Sequence, residues 1–247
     1  MFSTLKEAKL LPLNIIDYII LGIIGVSLLY GLYRGFISSL LTLLALFAAM
    51  FVSYAIGPTV AAEICKNDTA VQTLSHYTDA ASRLGDLEMS MQPVNGLSET
   101  AIDTIVERAN LPTPFDTLLL NNMTQQVFAV IGSASVSEYI NQTVVTSIIS
   151  ILSYIIIFSL VYFAMTMVIR MLNYMFNFPA LKYLDMIFGG VIGVGKGIFF
   201  VYIIFALIPI LVSVLPFDGL EALVEASRFG SIVNKSSIVT TILRGRI

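Results

Sequence analysis

Four ionisable residues lie inside or beside long apolar runs of this sequence: Asp17, Arg34, Asp185 and Lys196. A charged side chain within a membrane is costly, so residues of this kind are candidates for a functional role. They can also mark helix ends, where Arg34 and Lys196 would extend their charged groups to the lipid headgroups. We favour helix ends for Asp17 and Arg34. Lys196 lies deeper in its run, and a functional role or a buried pair with an aspartate stays open for it beside the helix-end interpretation.

Glycine recurs every four residues at Gly189, Gly193 and Gly197, which places all three on one helix face. A face of small residues lets a second helix approach closely, and this contact stabilises helix pairs in lipid. The spacing predicts a helix-packing surface within the chain or between chains, with a pore lining as the alternative. Gly31 and Gly35 interrupt an apolar run on either side of an arginine and predict a turn.

The sequence offers no recognisable arrangement of catalytic residues. Residues 190–196 fit the first seven positions of a phosphate-binding loop, but Gly197 stands where serine or threonine should hold magnesium. The single histidine, His76, lies in an acidic amphipathic stretch, and the single cysteine, Cys65, excludes a disulfide framework within the chain. We therefore predict a protein that is not an enzyme and that has no cofactor or metal.

Composition places the chain in a membrane. It has 57% hydrophobic and 12% charged residues, whereas soluble domains have about 25% charged residues. The mean hydropathy is +0.90, and a soluble core could not bury this much apolar surface. The net charge of −3 and the scattered basic residues argue against binding of nucleic acid. The lipid bilayer is the first predicted partner.

The apolar runs predict an all-α, polytopic membrane protein with about four transmembrane helices in two hairpins and with amphipathic surface helices. A span needs about 20 apolar residues. The predicted spans are residues 15–33, 36–56, 147–169 and 185–215, and the second is expected to end at Gly57 and Pro58. The predicted organisation is a polar N-terminal segment (1–14), a first hairpin (15–56), an acidic extramembrane helical segment (57–146), a second hairpin (147–215) and an amphipathic tail (216–247).

Two amphipathic helices are predicted outside the spans, and Asp68 to Leu84 is a weaker candidate for a third. Ser98 can cap a helix that ends near Asn110 and has apolar and acidic residues on opposite faces. In the tail, Asp218 and Glu221 have the spacing of a capping box, and Gly230 is the expected stop. The acidic segment is not expected to form an independent domain, because its apolar faces are narrow and would pack on the membrane part.

Residues 17–26 and 185–194 share aspartate, isoleucine, glycine and valine at matching positions. Each stretch is followed by a basic residue before a glycine. Apolar sequences repeat by chance, and this explanation stays open beside a second one, a pseudo-repeat with a functional site between its copies. The second copy could also be a re-entrant piece, since it is short before Lys196.

Taken together, these motifs resemble those of the colicin V production protein (CvpA) family. They are, in order, Asn14-Ile-Ile-Asp17, Gly31-Leu-Tyr-Arg-Gly-Phe36, and Leu184-Asp185 leading to Gly189, Gly193 and Lys196-Gly197. The motifs are short, and their order and position together carry the resemblance, over residues 13–56 and 145–215. The acidic middle is longer than in compact family members. The resemblance implies a bacterial inner-membrane protein with about four spans, needed for production or secretion of a peptide toxin, and without catalytic residues of its own.

Three functional hypotheses follow. The first is a non-enzymatic multi-pass protein of the bacterial cytoplasmic membrane that supports production or export of a colicin V-like peptide and envelope homeostasis. The second is a channel or transporter module with the four ionisable residues around a cavity. The third is a membrane scaffold that docks a partner, such as an extracytoplasmic protease, since related domains are fused to such proteases. A homo-oligomer or an envelope protein partner fits each of them.

Overall fold

The part of the chain described by the computed structural model is helical, as predicted. It comprises residues 14–78, 82, 84–128, 135–173, 182–214, 223, 226 and 227, and in these residues no strand forms beyond an isolated bridge between Pro93 and Ser135. Its helices are α1 (Ile15–Arg34), α2 (Phe36–Cys65), α3 (Asp68–Thr78), α4 (Leu87–Met91), α5 (Glu99–Ala109), α6 (Phe115–Thr124), α7 (Val136–Asn173) and α8 (Lys182–Val214). The predicted capping box of the tail lies outside the described residues.

Four of these helices, α1, α2, α7 and α8, are long and apolar enough to cross a membrane, which confirms the predicted spans. Large apolar side chains stand exposed along them. Examples are Tyr33, Phe51, Leu160 and Val191, which are 64–88% exposed. Surfaces of this kind are stable when lipid is the solvent, because lipid tails are as apolar as the side chains.

The second span is longer than predicted, because α2 continues through Pro58 to Cys65. Proline inside a helix removes one backbone hydrogen bond and crowds the preceding turn. The contact with α7 outweighs this local preference. Gly57 lies close to the α7 backbone at Tyr154, and Ala61 is buried against apolar side chains of α7.

The helix that forms the third span is also longer than predicted, since α7 begins at Val136 rather than at residue 147. At about 1.5 Å per residue, its 38 residues extend over about 57 Å, whereas the hydrocarbon core is about 30 Å thick. The N-terminal part of α7, which contains Glu138, Asn141 and Gln142, therefore projects beyond the hydrocarbon core.

Helices α4 and α6 pack on this projecting part of α7, and α5 packs on α6. We call α4, α5 and α6 the cap. Ser98 caps α5 as predicted, with its hydroxyl accepting a hydrogen bond from the Ala101 N–H. The largest buried cluster in the described residues joins the cap to α7. It includes Ile102, Ile105, Phe115, Leu119, Tyr139, Ile140 and Val144.

The membrane helices pack mainly between the two predicted hairpins rather than within them. The most extensive contacts join α1 to α8 and α2 to α7, whereas α1 touches α2, and α7 touches α8, much less. Along the first contact, Gly35 lies opposite Asp185, Gly31 opposite Gly189 and Ile24 opposite Gly197, so α1 and α8 are antiparallel. The predicted turn is present at Gly35, whereas Gly31 lies inside α1. The two helices that this turn joins have their most extensive contacts with α8 and α7.

Candidate functional site: a glycine seam and a basic pocket

The structure places Gly189, Gly193 and Gly197 against α1. A β-carbon at Gly189 would lie 2.6 Å from the Gly35 carbonyl carbon, and one at Gly193 would lie 3.1 Å from the Ser27 carbonyl carbon. At Gly197 the nearest atom would be the Ser27 β-carbon, at 2.9 Å. Because most of these neighbours are backbone atoms, a side chain at these positions would have to push the two helices apart.

The residues of α1 that receive these glycines include a glycine as well. A β-carbon at Gly31 would lie 2.9 Å from the Gly193 α-carbon, so the two backbones are in direct contact there. We call Gly31, Gly35, Gly189, Gly193 and Gly197 the glycine seam. The three glycines of α8 pack on α1, a partner that their spacing alone could not identify.

Gly35 and Asp185 meet at the junction of α1 and α2. Gly35 has a positive φ of 78°, a conformation that other residues rarely adopt. The Asp185 carboxylate accepts a hydrogen bond of 2.8 Å from the Phe36 N–H, the first amide of α2. A carboxylate at a helix N-terminus is favourable because the N-terminal amides carry partial positive charge. Asp185 thus caps a helix that is distant in sequence.

Asp17 has the same kind of role at the start of α1. It forms a capping box with Asn14, whose N–H donates to the Asp17 carboxylate at 2.9 Å. The same carboxylate accepts a 2.7 Å hydrogen bond from the Ser227 hydroxyl. Asp17 is 1% exposed, so this contact connects the start of α1 to the C-terminal region in a buried setting.

Lys196 is buried in the bundle, with 4% of its surface exposed. Its ammonium group donates a 2.8 Å hydrogen bond to the Thr42 hydroxyl and lies 5.8 Å from the centre of the Tyr30 ring. It forms no ion pair with any described residue, so the structure does not contain the buried pair with an aspartate that the sequence left open. At about 1.5 Å per residue, it lies about 20 Å along α8 from its first residue.

Arg34 lies near the same ring. Its guanidinium carbon lies 5.3 Å from the centre of Tyr30, so one aromatic ring lies near two cations. Cations near an aromatic face gain some electrostatic stabilisation.

Arg34 also lines a pocket of about 510 Å³ between the four spanning helices, which we call the basic pocket. Its lining residues are Tyr30, Arg34, Ser38, Thr42, Phe158, Ser159, Tyr162, Phe163, Thr166, Ile169, Arg170, Phe200 and Ile203. Arg170, Thr42 and Tyr30 are not among the site residues that the sequence predicted. Arg170 ends a long uncharged run, and that position could have marked it as a candidate.

The two similar segments, 17–26 and 185–194, lie in α1 and α8 but not opposite each other, since Gly189 lies opposite Gly31 and Gly193 opposite Ser27. Gly190 and Gly193 of the second copy contact α1, whereas β-carbons at their counterparts Gly22 and Gly25 would meet nothing within 4 Å. The glycine-rich stretch before Lys196 is a continuous part of α8, so its backbone amides do not form a phosphate-binding loop. In the described residues, no group of three histidine, cysteine or acidic side chains is placed to hold a metal.

The four spans, the glycine seam and the cap define a multi-pass α-helical membrane protein. More specifically, the chain belongs to the family of the colicin V production protein, whose model matches residues 16–83 and 126–237. The two matched parts contain all four spans, and the interval between them contains the cap. No curated protein and no solved structure matches the chain.

Proposed function

We propose that this protein is a multi-pass component of the bacterial cytoplasmic membrane that supports production or export of a colicin V-like peptide toxin and envelope homeostasis. The family match over both membrane halves carries this proposal. The protein is proposed to act without a chemical step of its own, through its helices and the partners they contact. The seam supports such a role, because backbone contact between α1 and α8 fixes the arrangement of the spans.

The test is complementation of a strain that makes the toxin but lacks this protein. Toxin activity is measured separately in the medium and in cell extracts. A role in export predicts toxin that accumulates inside the mutant cells, and a role in production predicts less toxin in both fractions. If the mutant and the complemented strain contain the same amount of toxin in the medium, and the same amount in cell extracts, the proposal is contradicted.

The basic pocket favours a second candidate function, a channel or transporter module. A cavity of about 510 Å³ between membrane helices, lined by Arg34 and Arg170, could admit a solute. Flux into proteoliposomes distinguishes the two candidates. If the protein conducts, the wild type shows flux and the Arg34→Gln variant shows altered flux at normal yield. If it does not conduct, neither the wild type nor the variant shows flux.

The cap favours a third candidate, a scaffold for an envelope protein such as a protease. Glu99, Asp103 and Glu107 of α5 are exposed on the face opposite its buried residues. Reversing these three charges to lysine should abolish capture of a partner while the cap stays folded. A control reverses Glu63 and Asp68, which are exposed outside the cap. If both variants capture the same proteins as the wild type, the scaffold idea fails.

We further propose that the ends of the spans near the basic pocket face the cytoplasm. Arg34, Arg170 and Lys182 lie at the ends of α1, α7 and α8 on that side of the bundle. Basic residues close to spans favour the cytoplasmic side. In a Cys65→Ser background, Thr104→Cys in the cap should react with an impermeant thiol reagent in whole cells. Lys182→Cys should react only after the cells are opened, and the reverse pattern would invert the topology.

A further inference from the structure

The basic pocket concentrates positive charge without an acidic counterpart. Arg34 and Arg170 line it, and Lys196 reaches its wall through the hydrogen bond to Thr42. None of the lining residues is acidic, and none of the three cations forms an ion pair within the described part of the chain. The nearby carboxylate of Asp185 accepts from the Phe36 N–H at the start of α2.

Uncompensated cations are costly in a membrane. Taking a charge out of water carries a large free-energy cost unless a partner of opposite charge or several hydrogen bonds replace the lost water. Lys196 has one hydroxyl and one aromatic ring as its partners. An anion in the pocket would supply the missing charge.

The remaining lining suits a phosphate oxyanion with an apolar part attached. Hydroxyl groups stand on the walls at Tyr30, Ser38, Thr42, Ser159, Tyr162 and Thr166. Arginine holds phosphate well because its planar group can donate two parallel hydrogen bonds. Phe158, Phe163 and Phe200 complete the lining, and Phe163 is 63% exposed on the bundle surface, where lipid would lie. The volume of about 510 Å³ is within the usual range for ligand pockets.

We propose that the basic pocket binds a phosphate group, held by Arg34 and Arg170 and charge-compensated by Lys196. The phosphate belongs either to an anionic lipid headgroup that enters from the bilayer or to a free phosphate ion. The inference does not depend on the proposed role in peptide production.

The test uses purified full-length protein in nanodiscs and measures lipid binding by native mass spectrometry. The probes are phosphatidylglycerol, phosphatidylcholine, and diacylglycerol, which has no phosphate. In a separate arm, inorganic phosphate is titrated into delipidated protein in detergent. The lipid source predicts that phosphatidylglycerol binds about tenfold or more tightly than diacylglycerol, which lacks the phosphate, because each charged hydrogen bond contributes about that factor. Phosphatidylcholine, whose phosphate is balanced by the choline cation, should bind between the two. The free-ion source predicts saturable binding of inorganic phosphate and no preference among the lipids.

Arg34→Gln and Arg170→Gln should each weaken the preferred interaction by about tenfold. The matched control is Lys66→Gln with Arg108→Gln, which removes two cations outside the pocket whose partners are Glu63 and Asp86. This control should bind like the wild type. If a glutamine variant does not fold, the Arg34→Lys, Arg170→Lys variant keeps the charge and should bind with intermediate strength.

Two results would overturn the proposal. One is wild-type protein that binds all three lipids equally and binds no inorganic phosphate. The other is a folded Arg34→Gln, Arg170→Gln variant with unchanged affinity for the preferred probe.

Discussion

The seam between α1 and α8 and the core between the cap and α7 hold this chain together by different means. In the seam, Gly31 and Gly193 bring two backbones into contact. In the core between the cap and α7, large side chains such as Phe115, Leu119 and Tyr139 are almost completely buried. The difference follows from the solvent. Burial from water contributes about 1.5–3 kcal/mol for a large apolar side chain, whereas lipid provides no such driving force and close packing must replace it.

The largest effect is expected in the seam, from Gly193→Leu. Extra methylene groups in a packed interior cost about 1–3 kcal/mol where neighbouring side chains can shift. A larger cost is expected here, because the obstacle is the backbone at Ser27, which cannot change rotamer, and the substitution separates two whole helices. We expect loss of most of the folded protein, measured by size-exclusion chromatography in detergent. The control is Gly195→Leu in the same helix, where a β-carbon would meet nothing within 4 Å. Equal losses in both variants would show that the α1–α8 contact is not what matters.

The next effect is expected in the cap, from Phe115→Ala. Phe115 is 0% exposed, and truncation of a buried phenylalanine costs about 3–5 kcal/mol. Hydrogen exchange should become faster in α5 and α6, while α1 and α8 keep their protection. The exposed Leu87→Ala serves as the control. Faster exchange in the seam as well would mean that the two regions unfold together and are not separate units.

A smaller effect is expected at the junction of the seam, from Asp185→Asn. The substitution keeps the size of the side chain but removes the negative charge at the N-terminus of α2, which is worth about 0.3–2 kcal/mol. The thermal midpoint in nanodiscs should fall by a few degrees. Gly35→Ala should lower the thermal midpoint further, because that position has a φ of 78° and the added carbon would meet the Asp185 carboxylate. If Asp185→Asn lowers the thermal midpoint more than Gly35→Ala does, the positive φ at Gly35 is not important for stability.

The smallest effect is expected from Ser98→Ala at the cap of α5. Loss of an N-cap hydroxyl costs about 1 kcal/mol, and the affected helix lies outside the bilayer. Limited proteolysis should cut α5 faster and leave the spans intact. Ser98→Asp should restore the wild-type rate, since aspartate can accept the same hydrogen bond. If the rate of proteolysis is unchanged in both variants, α5 is stabilised by its buried face and not by the Ser98 hydroxyl.

Hydropathy predicted the four spans because an apolar run of sufficient length has few stable alternatives to a membrane helix. The capped helix after Ser98 was predicted for a local reason as well, since the hydroxyl and the apolar face lie within one turn of each other. The ends of α2 and α7 were predicted wrongly. Proline and polar residues are local features, and the contacts that keep both helices intact come from distant parts of the chain.

The same limit applies to the candidate site. The spacing of Gly189, Gly193 and Gly197 indicated a packing face, but the identity of α1 as its partner depends on the fold. The basic pocket could not be predicted, because Arg34, Thr42, Arg170 and Lys196 come from four helices. Residues that are far apart in sequence give no local pattern from which a shared pocket could be predicted. Each of these four residues, taken alone, has the properties of a helix end or of an ordinary polar residue.

One consequence follows from the uninterrupted length of α7. The same helix carries Tyr139 in the cap core and Arg170 in the basic pocket. A rigid rod of about 57 Å that tilts by about one degree moves its far end by about 1 Å. A partner protein that binds the cap and tilts α7 would therefore displace Arg170 at the other end of the helix. The position of this arginine in the basic pocket would then depend on binding at the opposite side of the bilayer.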